Sequence, residues 1–208
     1  MVGEVEVHRT AEQCHLRAAT TDSEIGVNSH SCYDIRMTRT VTLTDTTGKS
    51  LGQADLMEAH TGEGKLHRAF SVYVFDKERK HLLIQRRSST KMLWPLFWAN
   101  TCCSHPFENE SPRTAGERRL QEEMGFTVEL HEGPAFTYCA LDPAGRGIEH
   151  EYVTILVGLV DPQIAVHPDP KEVDEWKWIE LPALETDLKE HPDLYTPWFH
   201  IGLKKLLD

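Results

Sequence analysis

Two periods run along this chain after residue 36, and neither runs before it. Val41 and Leu43 alternate with threonines, which predicts a strand, then a turn at "DTTGKS" and a second short strand. "LHRAFSVYVFD" (66–76) alternates apolar and β-branched residues, breaks at "DKERK" and resumes as "HLLIQRRS", the pattern of a hairpin. At "SPRTAGERRLQEEMGF" (111–126) the period lengthens: Ala115, Leu120 and Met124 fall on helical spacing, opened by Ser-Pro and closed by Gly. "PAFTYCAL" and "EYVTILVGLV" predict two strands joined by "DPAGRGIEH", and "EVDEWKWIEL" a further one. "LPALETDLKEH" and "TPWFHIGLKKLLD" predict closing helices. Strands and helices in mixed order predict an α/β (α+β) sandwich around a mixed sheet. Residues 1–36 are polar and aperiodic, so a loosely ordered extension is expected there and one domain over 37–208.

Composition narrows the class. The chain has 208 residues, 39% hydrophobic and 26% charged, enough for one domain with a full core. No run approaches the roughly 18 apolar residues of a membrane span, and the N-terminus has neither the basic flank nor the apolar stretch of a signal peptide. A cytoplasmic protein without a membrane partner is expected. The net charge of −11 argues against nucleic acid, since phosphate backbones need a basic face. An anionic substrate would need a local cluster of cations. Five cysteines at irregular spacing suit a reducing compartment.

The chemistry-bearing residues fall into four groups. His60 and His67 flank a Gly-rich loop, His105 follows a cysteine pair, and Glu149 and Glu151 share one face of a strand because side chains alternate with period two. Three imidazoles and two carboxylates suit Mn²⁺, Mg²⁺ or Zn²⁺, against chance proximity among twelve histidines. In "NTCCSHP", adjacent Cys102 and Cys103 are poorly placed to bridge each other. That leaves a metal half-site, a nucleophile or buried thiols. The helix "GERRLQEEMGF" resembles the second half of a Nudix box through Arg118, Leu120, Glu122, Glu123, Gly125 and Phe126, but Arg119 stands where the box has a glutamate. Arg86, Arg87 and Lys91, ahead of Trp94, Phe97 and Trp98, form the cation cluster expected for an anion. Trp198, in "TPWF", is a core residue or an aromatic face for a positive charge.

Taken in order, "AHTGEGKLHRAFSVYVF", "QRRSSTKMLWPLFWANTCCSHP", "RRLQEEMG", "YCALDPAGRGIEHEYV", "PDPKEVDEW" and "TPWF" resemble the type 1 isopentenyl-diphosphate isomerase family over roughly residues 40–205. The resemblance implies a Nudix-like sandwich and interconversion of isopentenyl and dimethylallyl diphosphate. It implies metal ligands at His60, His67, His105, Glu149 and Glu151, with Glu123 holding a diphosphate-bridging Mg²⁺. It makes Cys103 the catalytic thiol and Glu151, with Tyr138, the opposing acid. Arg87, Lys91 and Arg119 would contact the diphosphate and Trp198 would face the carbocation. One departure is visible: some family members carry a lysine four residues before the first metal histidine, where this chain has Leu56. A monomer is expected, with a dimer as the alternative. Competing functions are a Nudix diphosphohydrolase, which shares fold and metal, and a non-catalytic metal-stabilised binding protein.

Overall fold

The computed structural model describes residues 39–208. The predicted boundary at residue 37 lies outside the described residues. Among them, nine strands form one mixed sheet. A hairpin of β1 (Thr40–Thr44) and β2 (Ser50–Asp55) leads into a one-turn helix, α1 (Leu56–Ala59), capped by the Asp55 carboxylate. The central strand β3 (His67–Asp76) and its hairpin partner β4 (His81–Arg87) follow, then the short β5 (Trp98–Ala99) and β6 (Cys102–Ser104). Helix α2 (Pro112–Met124) precedes β7 (Leu130–Leu141), β8 (Ile148–Val160) and β9 (Val173–Glu180). Helices α3 (Leu181–Glu190) and α4 (Pro197–Leu207) close the chain.

β3 organises everything else. One of its edges pairs in parallel with β8 along its whole length, and the other meets β1, β6 and β4 in turn. The sequence predicts an alternating strand here, but nearly every residue of β3 is buried. The reason is cover on both faces, which removes the need for a polar side. On one face α2 packs Ala115, Leu120 and Met124 against Phe70, Val72 and Leu156. On the other, α4 packs Trp198, Phe199 and Leu203 against Tyr73, Val153 and Ile155.

Local chemistry sets the helix that the site depends on. Ser111 caps α2 by accepting from the Thr114 N–H, and Pro112 follows at its first turn. Gly125 ends it at φ 75°, where a Cβ would stand 2.4 Å from the His167 carbonyl oxygen. The 161–172 loop is thereby held close: His167 N–H donates to the Met124 carbonyl and Asp169 N–H to that of Glu123, both at 2.9–3.0 Å. No helix among the described residues is long and apolar enough to cross a membrane.

Candidate active site

Strand register assembles the centre. Glu151 of β8 stands opposite His67 of β3 on one side and Tyr138 of β7 on the other. Glu149 lies two residues back on the same face of β8. β6, on the far edge of β3, sets Cys103 opposite Ser71 and leads directly to His105. α1 ends at His60. A cavity of about 310 Å³ opens between these elements, lined by Cys103, Tyr138, Glu151, Lys91, Arg119 and Trp198 among others.

The ligand atoms of His60, His67, His105, Glu149 and Glu151 all lie within 4.8 Å of one another. The Nδ1 atoms of His60 and His67 face the carbonyls of Leu56 and Lys65 at 2.7 Å, so both carry the proton there and turn an Nε2 lone pair inward. The inward nitrogens and carboxylate oxygens crowd one another. His67 Nε2 is 3.1 Å from His105 Nε2, and His105 Nε2 is 2.9 Å from Glu151 Oε1. His60 Nε2 is 2.9 Å from Glu149 Oε2, yet that oxygen is buried without an aligned hydrogen bond. Burial pushes His67 down to about 4, with His105 adding to it, and pushes His105 down to about 3, with His60 adding. Burial opposes charge on His60 as well, but Glu149 outweighs it and holds the ring up at about 9. Three imidazoles and two carboxylates that converge so closely and draw in a proton fit a divalent cation, which would replace that proton.

Beside the cluster sit the groups able to move protons. The Tyr138 hydroxyl donates to Glu151 Oε2 at 2.8 Å. Burial raises this phenol well above its ordinary value and the Glu151 charge adds to the rise, so it stays protonated. Burial likewise raises the Cys103 thiol to about 11, opposed by Arg87, whose NH1 approaches Sγ at 3.6 Å. Cys102 points the other way, into the core beneath α2.

The predicted cation cluster divides. Arg87 enters the cavity and Arg86 does not: adjacent residues of β4 face opposite ways, and Arg86 pairs with Asp174 and Glu175 at the surface. Arg87 also donates to the carbonyls of Leu93 and Trp94 at 2.9 and 3.0 Å, holding a turn in which Trp94 and Leu96 have φ of 45° and 64°. Its guanidinium carbon stands 5.2 Å from the centre of the Trp198 ring. Trp98 packs under Lys177 instead, and Trp94 meets Trp198 edge-on in the core. Trp198 is fixed by its indole N–H, which donates to Asn100 Oδ1 at 3.1 Å.

Arg119 is bound by three carboxylates, those of Glu122, Glu123 and Glu172. Glu172 also takes Lys91. Burial alone would raise Glu172, but these two cations outweigh it and hold the carboxyl near 2 against an ordinary 4.5. Glu123 is fully buried, and its Oε2 has no hydrogen-bond partner. Sequence reasoning missed Glu172, which lies 81 residues from Lys91 and 53 from Arg119. Its one signal was an acidic residue in "PDPKEVDEW".

Two expected outcomes follow from these pairs. Arg119→Leu strands the buried Glu123 and lowers unfolding free energy by about 3 kcal/mol, read from the denaturant midpoint. Glu172 has a depressed folded pKa, so its stabilisation is complete above about 4.5 and is lost as pH falls towards about 2. Glu172→Gln therefore flattens that limb of an acid-unfolding titration. An unchanged limb would mean that the ion pairs contribute nothing.

A mixed sheet with flanking helices and a glutamate-bearing α2 beside the cavity defines a Nudix protein: the NUDIX domain model matches residues 65–199. The fold is shared with a solved protein from Deinococcus radiodurans, 14% identical, TM-score 0.63, covering 80% of this chain and 99% of that one. It is shared also with a MutT protein from Methanosarcina mazei, 16% identical, TM-score 0.53, covering 67% and 91%. Curated relatives are more specific. Isopentenyl-diphosphate Delta-isomerase of Nocardia farcinica is 42% identical over 76% of this chain and 89% of its own length. That of Halorhodospira halophila is 40% identical over 76% and 90%. Within the Nudix class, the chain belongs to the isopentenyl-diphosphate Delta-isomerase family.

Proposed function

We propose that this chain interconverts isopentenyl and dimethylallyl diphosphate, as its relatives' names indicate, and so serves isoprenoid biosynthesis. The observation that carries the reading is one juxtaposition. Two proton-transfer groups, Cys103 and the Glu151–Tyr138 pair, enter a single cavity from opposite edges of β3.

Shifting the double bond adds a proton at C4 and removes one from C2. An unactivated alkene is a very weak base, so the acid must be strong and set against the carbon. Glu151 and Tyr138, joined by a hydrogen bond, are held in place to deliver that proton as one coupled pair. A divalent cation on His60, His67, His105, Glu149 and Glu151 (Mn²⁺, Mg²⁺ or Zn²⁺) supplies stabilisation of the conjugate anion when bound. The resulting tertiary carbocation must be kept from water, and the Trp198 ring gives it a π face. Cys103, as thiolate, takes the C2 proton, its charge favoured by the Arg87 N–H. Burial favours the protonated thiol in which a forward turnover leaves Cys103, so that proton must pass to solvent, and one return to the Tyr138–Glu151 pair, before the next turnover.

Arg87, Lys91 and Arg119 would form the diphosphate clamp, and Glu123, whose Oε2 has no hydrogen-bond partner, would help hold a Mg²⁺ that offsets the diphosphate charge. Anchoring the diphosphate fixes the reacting carbons to within about 1 Å. The proposed setting is a cytoplasmic monomer acting on a small prenyl diphosphate, without nucleic acid or membrane. The catalytic unit is 37–208, so removing residues 1–36 leaves turnover within about twofold of the full chain. Loss of soluble protein on truncation would refute that boundary.

The test is an NMR time course of the protein with Mg²⁺ and isopentenyl diphosphate in deuterated water. Dimethylallyl diphosphate with deuterium in a methyl group is expected. Inorganic phosphate or isopentenyl monophosphate in its place would overturn the isomerase for a hydrolase.

A further inference from the structure

The cations of the proposed clamp are largely committed before any substrate arrives. Lys91 is paired with Glu172, Arg119 with three carboxylates, and Arg87 with two carbonyls and a sulfur. Another arginine reaches the same cavity. Arg39 directly precedes β1, and its carbonyl accepts the Leu56 N–H at 2.8 Å, which ties it to the start of α1. Its guanidinium lines the cavity and donates through NH2 to Ser104 Oγ at 2.8 Å.

That anchor has two consequences. Ser104 faces the α2 side of β6, as Cys102 does, so Arg39 is held on the side of the cavity that carries Arg119 and Glu172. Ser104 is also neutral. The hydrogen bond Arg39 makes within the described residues goes to a hydroxyl, whereas Lys91 and Arg119 are paired directly with carboxylates. Arg119, Glu172 and Glu123 are all near enough to act on it electrostatically, which sets it at the border of the proposed phosphate patch. A guanidinium recognises phosphate oxygens in pairs. Leu56, on the same wall, offers no charge.

We infer that Arg39 is a substrate-binding residue that closes the diphosphate clamp from the β1 side, oriented by Ser104. This rests on the isomerase reading above and adds a contact that neither the periodicity nor the resemblance contains. Arg39 touches no reacting carbon. Its loss should therefore act on binding and spare the chemical step.

The experiment uses the full chain with Mg²⁺. Steady-state kinetics on isopentenyl diphosphate are set beside calorimetric titration with inorganic diphosphate. Arg39→Gln is expected to raise KM and weaken diphosphate binding by about tenfold or more, with kcat within about threefold of wild type. Arg39→Lys, and Leu56→Lys in the Arg39→Gln background, should each recover part of both losses by returning a positive charge to that wall. Should Arg39→Gln fail to fold, Ser104→Ala releases the guanidinium from its anchor and is expected to raise KM several-fold. An active wild type whose KM and diphosphate affinity are unmoved by Arg39→Gln, or by Ser104→Ala where the former does not fold, overturns this inference alone. A wild type that neither isomerises nor binds inorganic diphosphate overturns the reading beneath it.

Discussion

Cys103→Ala is expected to lower kcat by about 10³-fold or more while inorganic diphosphate still binds, because the change removes a proton acceptor and leaves the clamp untouched. Cys102→Ala is expected to keep most turnover and to cost about 1 kcal/mol of stability through lost packing. Two neighbouring thiols differ this sharply because β6 is a strand, and its side chains alternate between faces. Cys102 packs with Phe70, Val72 and Leu120 beneath α2, whereas Cys103 lines the cavity under Arg87. Steady-state rates of both variants, with melting curves, make the comparison. A Cys102→Ala protein as inactive as Cys103→Ala, yet folded, would show the roles to be wrongly divided.

Glu151→Gln should be as severe, for a different reason. One oxygen of Glu151 faces His105 and the other accepts from Tyr138, so the same carboxylate serves metal cluster and proton donor. The amide keeps the shape but loses the charge and one acceptor site. A fall in kcat of about 10³-fold or more is expected, together with reduced metal content by elemental analysis. Tyr138→Phe separates the two functions: metal content stays at the wild-type level while kcat falls by about 10²-fold. Glu151→Gln with full metal content and a rate within tenfold of wild type would place the acid elsewhere.

How far these residues can be read from sequence depends on the range over which each is specified. α2 is announced by Ser111-Pro112 and Gly125, because its caps are local chemistry. Glu149 and Glu151 share a face through strand period alone, and both meet the predicted histidines. β5 and β6 escape notice because two or three residues carry no period. β7 starts earlier than predicted, at Leu130. Gly133 and Pro134 look like a break but sit at a register shift between Glu132 and Ala135, where a strand tolerates them. The same alternation that places the two carboxylates would have sent Arg86 outward, had it been applied to β4. Glu172 and Arg39 were out of reach, since each acquires its meaning from partners 53 to 81 residues away.

The cluster of acceptors also bears on how the protein ages in the cell. Its ligands come from α1, β3, β8 and the segment after β6, so an ion seated there would act as a removable rivet through the middle of the sheet. Like a disulfide it would shorten the loops of the unfolded chain, but the agent that opens it is a chelator and not a reductant. Metal scarcity would then lower the protein's lifetime as well as its rate. Copies that lose the ion would be the first drawn to proteases.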